Sequence, residues 1–200
     1  TSATCVTGLV VVDTADYWSG FGETVILCLI QIGGLGFVTL LTFFISFMGK
    51  KTGLRSMMLA QEAISSLSLQ ETVPLIRQIL KMVFVVEGIG ALILCIDFIP
   101  RFGFRGIYYS LFHAISAFCN AGFDVMGSFK SLSDFNNSPL VIYTISMLII
   151  IGGLGFIVWK DIMDYKKTKK LLLHTKIVLG ISFILLITGA VFIYFIESNH

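Results

Sequence analysis

Four apolar stretches, each close to or above the length needed to cross a bilayer, constrain the fold of this chain more than any other feature. A helix needs about 20 apolar residues to span the hydrocarbon core of a membrane. The stretches cover approximately residues 23–47, 79–99, 140–159 and 177–196. Because 56% of the 200 residues are hydrophobic and only 13% are charged, a surface that faces water throughout is excluded. We therefore predict an all-α membrane protein that crosses the lipid several times.

A fifth apolar stretch, residues 107–118, is too short to span the membrane. Its length is typical of a re-entrant helix, which enters the membrane and is followed by a non-helical loop. We predict a short pore helix here.

The basic residues fall mainly in two loops, and this predicts the orientation of the chain. The loop after the first span and the loop after the third span hold 11 of the 14 lysines and arginines: Lys50, Lys51, Arg55, Arg77, Lys81, Lys160, Lys166, Lys167, Lys169, Lys170 and Lys176. By the positive-inside rule, both loops are cytoplasmic. The run KKTKK, residues 166–170, is suited to contact with anionic membrane lipid. A net charge of +2 gives no reason to expect a nucleic acid partner.

The chain contains an internal repeat. The segment SATCVTGLVV at residues 2–11 aligns with SAFCNAGFDV at residues 116–125, and the hexamer IGGLGF follows each copy, at residues 32–37 and 151–156. Two membrane crossings separate the copies, so both have the same orientation. The sequence therefore predicts tandem parallel repeats of helix, pore loop and helix. Inverted repeats would instead favour a secondary transporter with a binding site at the membrane midplane, which is the alternative function.

The loops that follow the short helices are the candidate functional site. Backbone that is not helical at membrane depth must be buried in protein or line a water-filled cavity. Ion filters use backbone carbonyls in place of the hydration shell of the ion, and glycine permits the positive φ angles that such a loop needs. We predict an ion filter built from Val6, Thr7, Gly8 and Leu9 in one repeat and Asn120, Ala121, Gly122 and Phe123 in the other. An ordinary turn between two helices is the alternative interpretation.

Four motifs carry a resemblance to a known family: TSATCVTGL at residues 1–9, QIGGLGF at 31–37, FHAISAFCNAGFD at 112–124 and IGGLGF at 151–156. In these motifs the chain resembles the Trk/Ktr/HKT superfamily of potassium transporters, and most of all the bacterial pore-forming subunit of the Ktr or TrkH type. The resemblance covers essentially the whole chain. It implies potassium uptake through repeats of the potassium-channel type, with one signature glycine per loop, here Gly8 and Gly122. In this family, glycine in the first loop goes with potassium passage and serine with a preference for sodium.

The same resemblance implies a division of the chain into parts of a longer protein. Residues 1–48 would be the filter loop and second helix of unit one, 49–74 a cytoplasmic connection, 75–160 the whole of unit two, and 161–200 a cytoplasmic loop with the first helix of unit three. The implied location is the plasma (inner) membrane. The implied partners are membrane lipid, a second copy in a homodimer and a cytosolic nucleotide-binding regulatory ring. Potassium would be the transported ion, with sodium as a coupling or activating ion.

Six glycines of the two hexamers are a further set of candidate residues: Gly33, Gly34, Gly36, Gly152, Gly153 and Gly155. Glycine lowers helix propensity by about 1 kcal/mol, so these positions favour a kink, close packing or a hinge. Close packing around the neighbouring pore helices is the ordinary interpretation, and hinge motion during gating is the alternative.

Two titratable residues also lie at membrane depth. Glu87 is in the body of the second span, where an ionisable group indicates either function or a hydrogen bond inside the bundle. His113 precedes the second loop and is either a pH-sensitive residue or a hydrogen-bonding one. Ser116, His113 and Asp124 are close in sequence, but only Ser116 has a counterpart in the other repeat, Ser2, so we predict no enzyme activity. The four cysteines form no CxxC pair and predict no metal site.

Overall fold

The computed structural model describes residues 1–36 and 69–197, and every regular element in these ranges is helical. The helices are α1 (Thr14–Tyr17), α2 (Gly20–Leu35), α3 (Leu69–Phe102), α4 (Arg105–Phe118), α5 (Pro139–Gly153), α6 (Phe156–Thr168) and α7 (Leu173–Glu197), with a 3-10 turn at Ser133–Phe135. The chain divides into two compact units, Thr1–Gly153 and the residues from Leu154 onward. Each unit is described by itself.

Two helices are long and apolar enough to cross a membrane singly. They are Arg77–Phe102, which is the apolar part of α3, and Leu173–Glu197, which is α7. These helices confirm the predicted spans at 79–99 and 177–196. Large side chains of α7 are exposed along its length, for example Phe183 and Phe192, as expected of a helix whose solvent is lipid.

The span predicted over residues 140–159 is wrong as one continuous helix. Helix α5 ends at Gly153 and α6 begins only at Phe156, so the two helices have the length of a membrane crossing only if together they form one broken span. The physical reason lies in the hexamer, because Gly155 has a φ angle of 84°, which does not continue a helix. The first hexamer ends its helix in the same way: α2 ends at Leu35, and Gly36 has a φ angle of 79°. The predicted inner part of the first span, residues 37–47, lies outside the described residues, as does most of the predicted cytoplasmic connection at 49–74.

The short helix predicted at residues 107–118 corresponds to α4, Arg105–Phe118. A tight turn at Gly103, with a φ angle of 61°, reverses the chain between α3 and α4. Gly106 then permits a close approach of the two helices, since a Cβ atom there would lie 2.5 Å from the Phe98 carbonyl oxygen. Helix α4 is therefore held directly against the end of the long helix α3.

The core of the first unit is formed where the two loops meet α2 and α4. Its buried members come from all four of these segments: Ala3, Leu27, Ile30, Phe112, Ala121, Phe123 and Val125. An aromatic cluster lies at the end of α3, where the Phe98 ring packs 4.9 Å from Phe135 and 5.7 Å from His113, measured between ring centroids. The apolar packing of the first unit thus anchors the candidate filter loops on one side, through Val6, Ala121 and Phe123.

Candidate ion filter

The two candidate filter loops have the same backbone conformation at equivalent positions. Val6 and Asn120 have φ angles of 53° and 58°, and Gly8 and Gly122 both have a φ angle of 71°. Three backbone hydrogen bonds also recur. In the first loop the N–H groups of Cys5, Val6 and Thr7 donate to the carbonyls of Thr1, Ala3 and Ser2; in the second, those of Cys119, Asn120 and Ala121 donate to Ile115, Ala117 and Ser116. The sequence repeat is thus also a repeat of structure.

The two loops touch at their glycines. A Cβ atom at Gly8 would lie 2.5 Å from the Ala121 carbonyl oxygen and 3.3 Å from Gly122 Cα. In the described part of the chain, a Cβ atom at Gly122 would have only Gly8 Cα within 4 Å, at 3.7 Å. Glycine is therefore needed at position 8 for its φ angle and for space, and at position 122 for its φ angle alone.

Val6 holds an unfavourable backbone conformation. A β-branched residue at a φ angle of 53° is a rare outlier, whereas asparagine, at the equivalent position 120, is one of the residues that tolerate this region. Such conformations cost about 1–3 kcal/mol and are concentrated at functional sites. The surrounding contacts maintain the conformation, since Val6 packs against the buried core cluster.

The side chains around the two loops differ although the backbones agree. Ser116 Oγ donates a 2.7 Å hydrogen bond to the Phe123 carbonyl, while the equivalent Ser2 Oγ lies 3.0 Å from Thr7 Oγ1. Because Ala121 stands where the first loop has Thr7, Ser116 has no hydroxyl partner there. The Phe123 carbonyl, one of the eight predicted ion ligands, thus also accepts one hydrogen bond inside the protein, which leaves its second lone pair unused by Ser116. Sequence analysis missed this bond, although the matched serines were a signal that these positions matter.

The exposure of the eight predicted filter residues is mixed. Ala121 and Phe123 are buried, Val6 and Gly8 are half-buried, and the remaining four are exposed: Thr7, Leu9, Asn120 and Gly122. The loops therefore present part of their backbone outward and anchor the rest in the core.

Glycines of the two hexamers allow the helices to pack directly on the loops. A side chain at Gly33 would collide with the Thr4 carbonyl, and one at Gly152 with the Phe118 carbonyl, which is the equivalent contact in the second repeat. Gly34 packs on Cys119, and Gly153 has only Asn120 Nδ2 near it, at 3.9 Å. The described contacts are those of close packing, while hinge motion stays a prediction.

Glu87 forms a hydrogen bond between helices. Its Oε1 accepts a 2.9 Å hydrogen bond from Gln31 Nε2 of α2, and the side chain is 2% exposed. Among the described residues, Glu87 Oε2 has no hydrogen-bond partner. The pair ties α3 to the helix that carries the first hexamer.

His113 and Ser116 each donate to a backbone carbonyl. His113 Nδ1 lies 2.7 Å from the Tyr109 carbonyl of its own helix, so this nitrogen carries the proton, and the ring is 3% exposed. Since Ser116 Oγ donates to Phe123, the serine and the histidine do not form a nucleophile and base pair.

Comparison with known proteins identifies the family. The TrkH family, described as cation transport protein, matches residues 1–198. The chain is 43% identical over 200 residues to the potassium/sodium uptake protein NtpJ of Enterococcus hirae, covering 100% of this chain and 44% of that protein. It is 44% identical over 179 residues to the Ktr system potassium uptake protein B of Bacillus subtilis, covering 89% of this chain and 40% of that protein. The chain is 39% identical over 203 residues to the Ktr system potassium uptake protein B of Vibrio alginolyticus, and the match covers 44% of that protein.

The chain thus spans less than half the length of these relatives. It contains helices suited to cross a membrane, and it matches a family of transporters, not enzymes, over nearly every residue. The chain belongs to the TrkH family of cation transport proteins, whose members are multi-pass membrane proteins, and its own helices fit that class.

Proposed function

We propose that this chain contributes two loops to a potassium uptake pore, in which backbone carbonyls of Val6 to Leu9 and Asn120 to Phe123 bind the ion in place of water. The observation that carries the proposal is the pair of touching glycines, Gly8 and Gly122, which share a left-handed φ angle of 71°. An ordinary turn does not require the same left-handed conformation in two copies. The names of the relatives, which take up potassium or potassium and sodium, support the choice of ion.

The repeat architecture is part of the same proposal. The matching φ angles and backbone hydrogen bonds support tandem parallel units of helix, pore loop and helix, of the potassium-channel type, with residues 75–160 forming one whole unit. On this scheme α4 is the pore helix, and the segments 1–48, 49–74 and 161–200 belong to the neighbouring units and connections. An axis along the membrane normal would relate the units, since the copies have the same orientation.

The partners are proposed on the family alone. The name Ktr system, carried by two of the relatives, favours assembly with further components. We propose a homodimer with a cytosolic nucleotide-binding regulatory ring, to which the basic cytoplasmic loops would face, and sodium as a coupling or activating ion. Membrane lipid surrounds the apolar helices.

The proposal is tested by ion uptake into proteoliposomes that contain the full-length protein with Gly8→Ser or Gly122→Ser. We expect both variants to take up potassium with lower selectivity against sodium, because each disturbs a carbonyl row. Gly8→Ser should be the more severe, since its Cβ would meet the Ala121 oxygen at 2.5 Å. Gly88→Ser is the control, because Gly88 lies inside α3 and a Cβ atom there meets nothing within 4 Å among residues 1–36 and 69–197. Unchanged uptake in both loop variants would show that these loops do not line the pore.

A further inference from the structure

Two aspartates that follow the first loop bind the backbone beyond the second loop. Asp13 Oδ2 accepts a 2.6 Å hydrogen bond from Phe129 N–H, and Asp16 Oδ2 accepts one of 3.0 Å from Ser128 N–H. We call these four residues, Asp13, Asp16, Ser128 and Phe129, the aspartate clamp. The clamp joins segments that are more than a hundred residues apart in sequence, and neither the repeat nor the family motifs include it.

Both carboxylate oxygens of Asp13 accept hydrogen bonds in the aspartate clamp. Asp13 is 8% exposed, and its other oxygen, Oδ1, accepts hydrogen bonds from Ala15 N–H at 2.9 Å and Asp16 N–H at 3.3 Å, which caps helix α1. A buried carboxylate with three donors is held in one position, and hydrogen bonds to a charged acceptor are stronger than neutral ones. Asp16 is exposed and makes a single bond to the loop, so it should contribute less.

The loop that the aspartates bind has an unusual backbone. Gly127, Ser128, Phe129 and Ser131 all have positive φ angles, between 51° and 80°. L residues disfavour this region, so the loop needs contacts that fix it. Two successive N–H groups of this loop, those of Ser128 and Phe129, donate to the carboxylates of Asp16 and Asp13, which therefore help to fix it.

The clamp lies close in sequence to the contact between the loops. Asp13 is four residues beyond Leu9, and Phe129 is six residues beyond Phe123, so the clamped segments run directly from the two candidate filters. The filters themselves touch at Gly8 and Gly122. Two tethers, one at the glycines and one at the aspartates, therefore fix the first loop against the second, and losing one leaves the carbonyl rows free to shift.

We propose that Asp13 and Asp16 are positioning residues for ion selection: by holding Phe129 and Ser128, they set the spacing of the two carbonyl rows and thus the discrimination of potassium from sodium. This inference rests on the proposed function, since it matters for transport only if the loops are the filter. Filters discriminate through the number and placement of carbonyl dipoles, so a change of spacing alters selectivity before it stops conduction.

The test is Asp13→Asn in the full-length protein, with uptake of potassium and sodium measured over a range of concentrations in proteoliposomes. Asparagine is also a good helix cap, so its oxygen can still accept from Ala15 and Asp16, but its Nδ2 meets the Phe129 donor and the link between the loops is lost. We expect the half-saturating potassium concentration to rise by about threefold to tenfold, the order that corresponds to the net contribution of one ordinary hydrogen bond. Relative sodium uptake should rise, and the maximal rate per inserted protein should stay near that of wild type.

Asp134→Asn is the matched control, because it removes the same charge from the loop that follows the second filter. Asp134 is exposed and pairs only with Lys130, at 3.8 Å, in the described residues. Asp16→Asn should shift the half-saturating concentration in the same direction as Asp13→Asn but less. If the Asp13→Asn variant fails to insert into the membrane, the half-saturating potassium concentration of Asp16→Asn alone tests the proposal.

The outcomes separate the clamp from the filter. If the loop glycine variants change selectivity while both aspartate variants behave like Asp134→Asn, the clamp proposal is overturned and the proposed function stands. The clamp proposal is also overturned if the aspartate variants take up ions more slowly only because less protein is inserted, while the half-saturating concentration and the ion preference are unchanged. If neither glycine nor aspartate variants change ion preference, both proposals fail.

Discussion

At the scale of single residues, Glu87 shows how a carboxyl group can be accommodated in a helix that crosses lipid. Burying a polar group costs free energy unless it is hydrogen-bonded, and Glu87 Oε1 meets this need through Gln31 on another helix. The bond links the helix before the second loop to the helix after the first. The residue is therefore a structural tie between the repeats, which is one of the two interpretations that its position in the sequence allowed.

Two substitutions of Glu87 separate the hydrogen bond from the charge. Glu87→Gln keeps an acceptor for Gln31 Nε2, whereas Glu87→Leu leaves that donor buried without its partner, at a cost of about 1–3 kcal/mol. We expect the leucine variant of the full-length protein to unfold at a lower temperature in detergent than the glutamine variant, which should stay close to wild type. Equal loss of thermal stability in both variants would show that the charge, and not the hydrogen bond, is what the fold needs.

Residue contacts of this kind mark the limit of what sequence could predict. The acids Asp13 and Asp16 look like ordinary solvated loop residues, and only the fold brings them to Ser128 and Phe129. The bond from Ser116 to Phe123 was equally hidden, because it depends on alanine replacing threonine at one position of the repeat. Predicting these contacts requires the relative position of two distant loops, about which hydrophobic periodicity carries no information.

At the scale of elements, the sequence was most informative where length and composition decide the outcome. Helix α4 begins at Arg105 and ends at Phe118, within two residues of the predicted stretch, and α3 and α7 contain the predicted spans. The glycines of the hexamers predicted a kink, close packing or a hinge, but not that the helices end inside the hexamers, because apolar composition continues through them. The backbone of Gly36 and Gly155 decides those boundaries.

The neighbouring glycines of α5 test whether the hexamer serves packing or hinge motion. Gly152→Ala and Gly153→Ala raise helix propensity equally, by about 1 kcal/mol. Only the methyl group at position 152 would collide with the Phe118 carbonyl, while at 153 the nearest neighbour is Asn120 Nδ2 at 3.9 Å. We expect Gly152→Ala to lower both the unfolding temperature and ion uptake of the full-length protein, and Gly153→Ala to match wild type.

A different result would favour the hinge. If Gly153→Ala reduces uptake as strongly as Gly152→Ala while its unfolding temperature is that of wild type, then the loss comes from restricted motion rather than from a collision.

At the scale of the whole molecule, the distribution of basic residues predicts which loops face the cytoplasm. The residues between the second loop and α5 should lie outside, and the start of α7 should lie inside. Both regions offer exposed positions, Asn137 and His174. The orientation of the repeats, on which the proposed pore depends, can therefore be measured independently of transport.

We expect a membrane-impermeant maleimide to label Asn137→Cys but not His174→Cys on intact cells, in the full-length protein with its native cysteines replaced by alanine. Permeabilised cells should label both, which is the control for reactivity. Labelling of His174→Cys but not Asn137→Cys on intact cells would reverse the orientation, and labelling of neither or both would contradict a single membrane crossing between these two positions.

Because the two loops share a backbone conformation but not a sequence, mutations can alter one loop independently of the other. Both copies are encoded in one gene and carry different side chains around the same φ angles, so a single nucleotide change alters one loop and leaves the other intact. In an assembly of identical chains, the same change would appear in every subunit at once. Thr7 and Ala121, which occupy equivalent positions, show the outcome. The serines of the two loops have different hydrogen-bond partners, a hydroxyl in one loop and a carbonyl in the other, although the loops keep a common backbone shape. Mutations can therefore tune such a site in small steps.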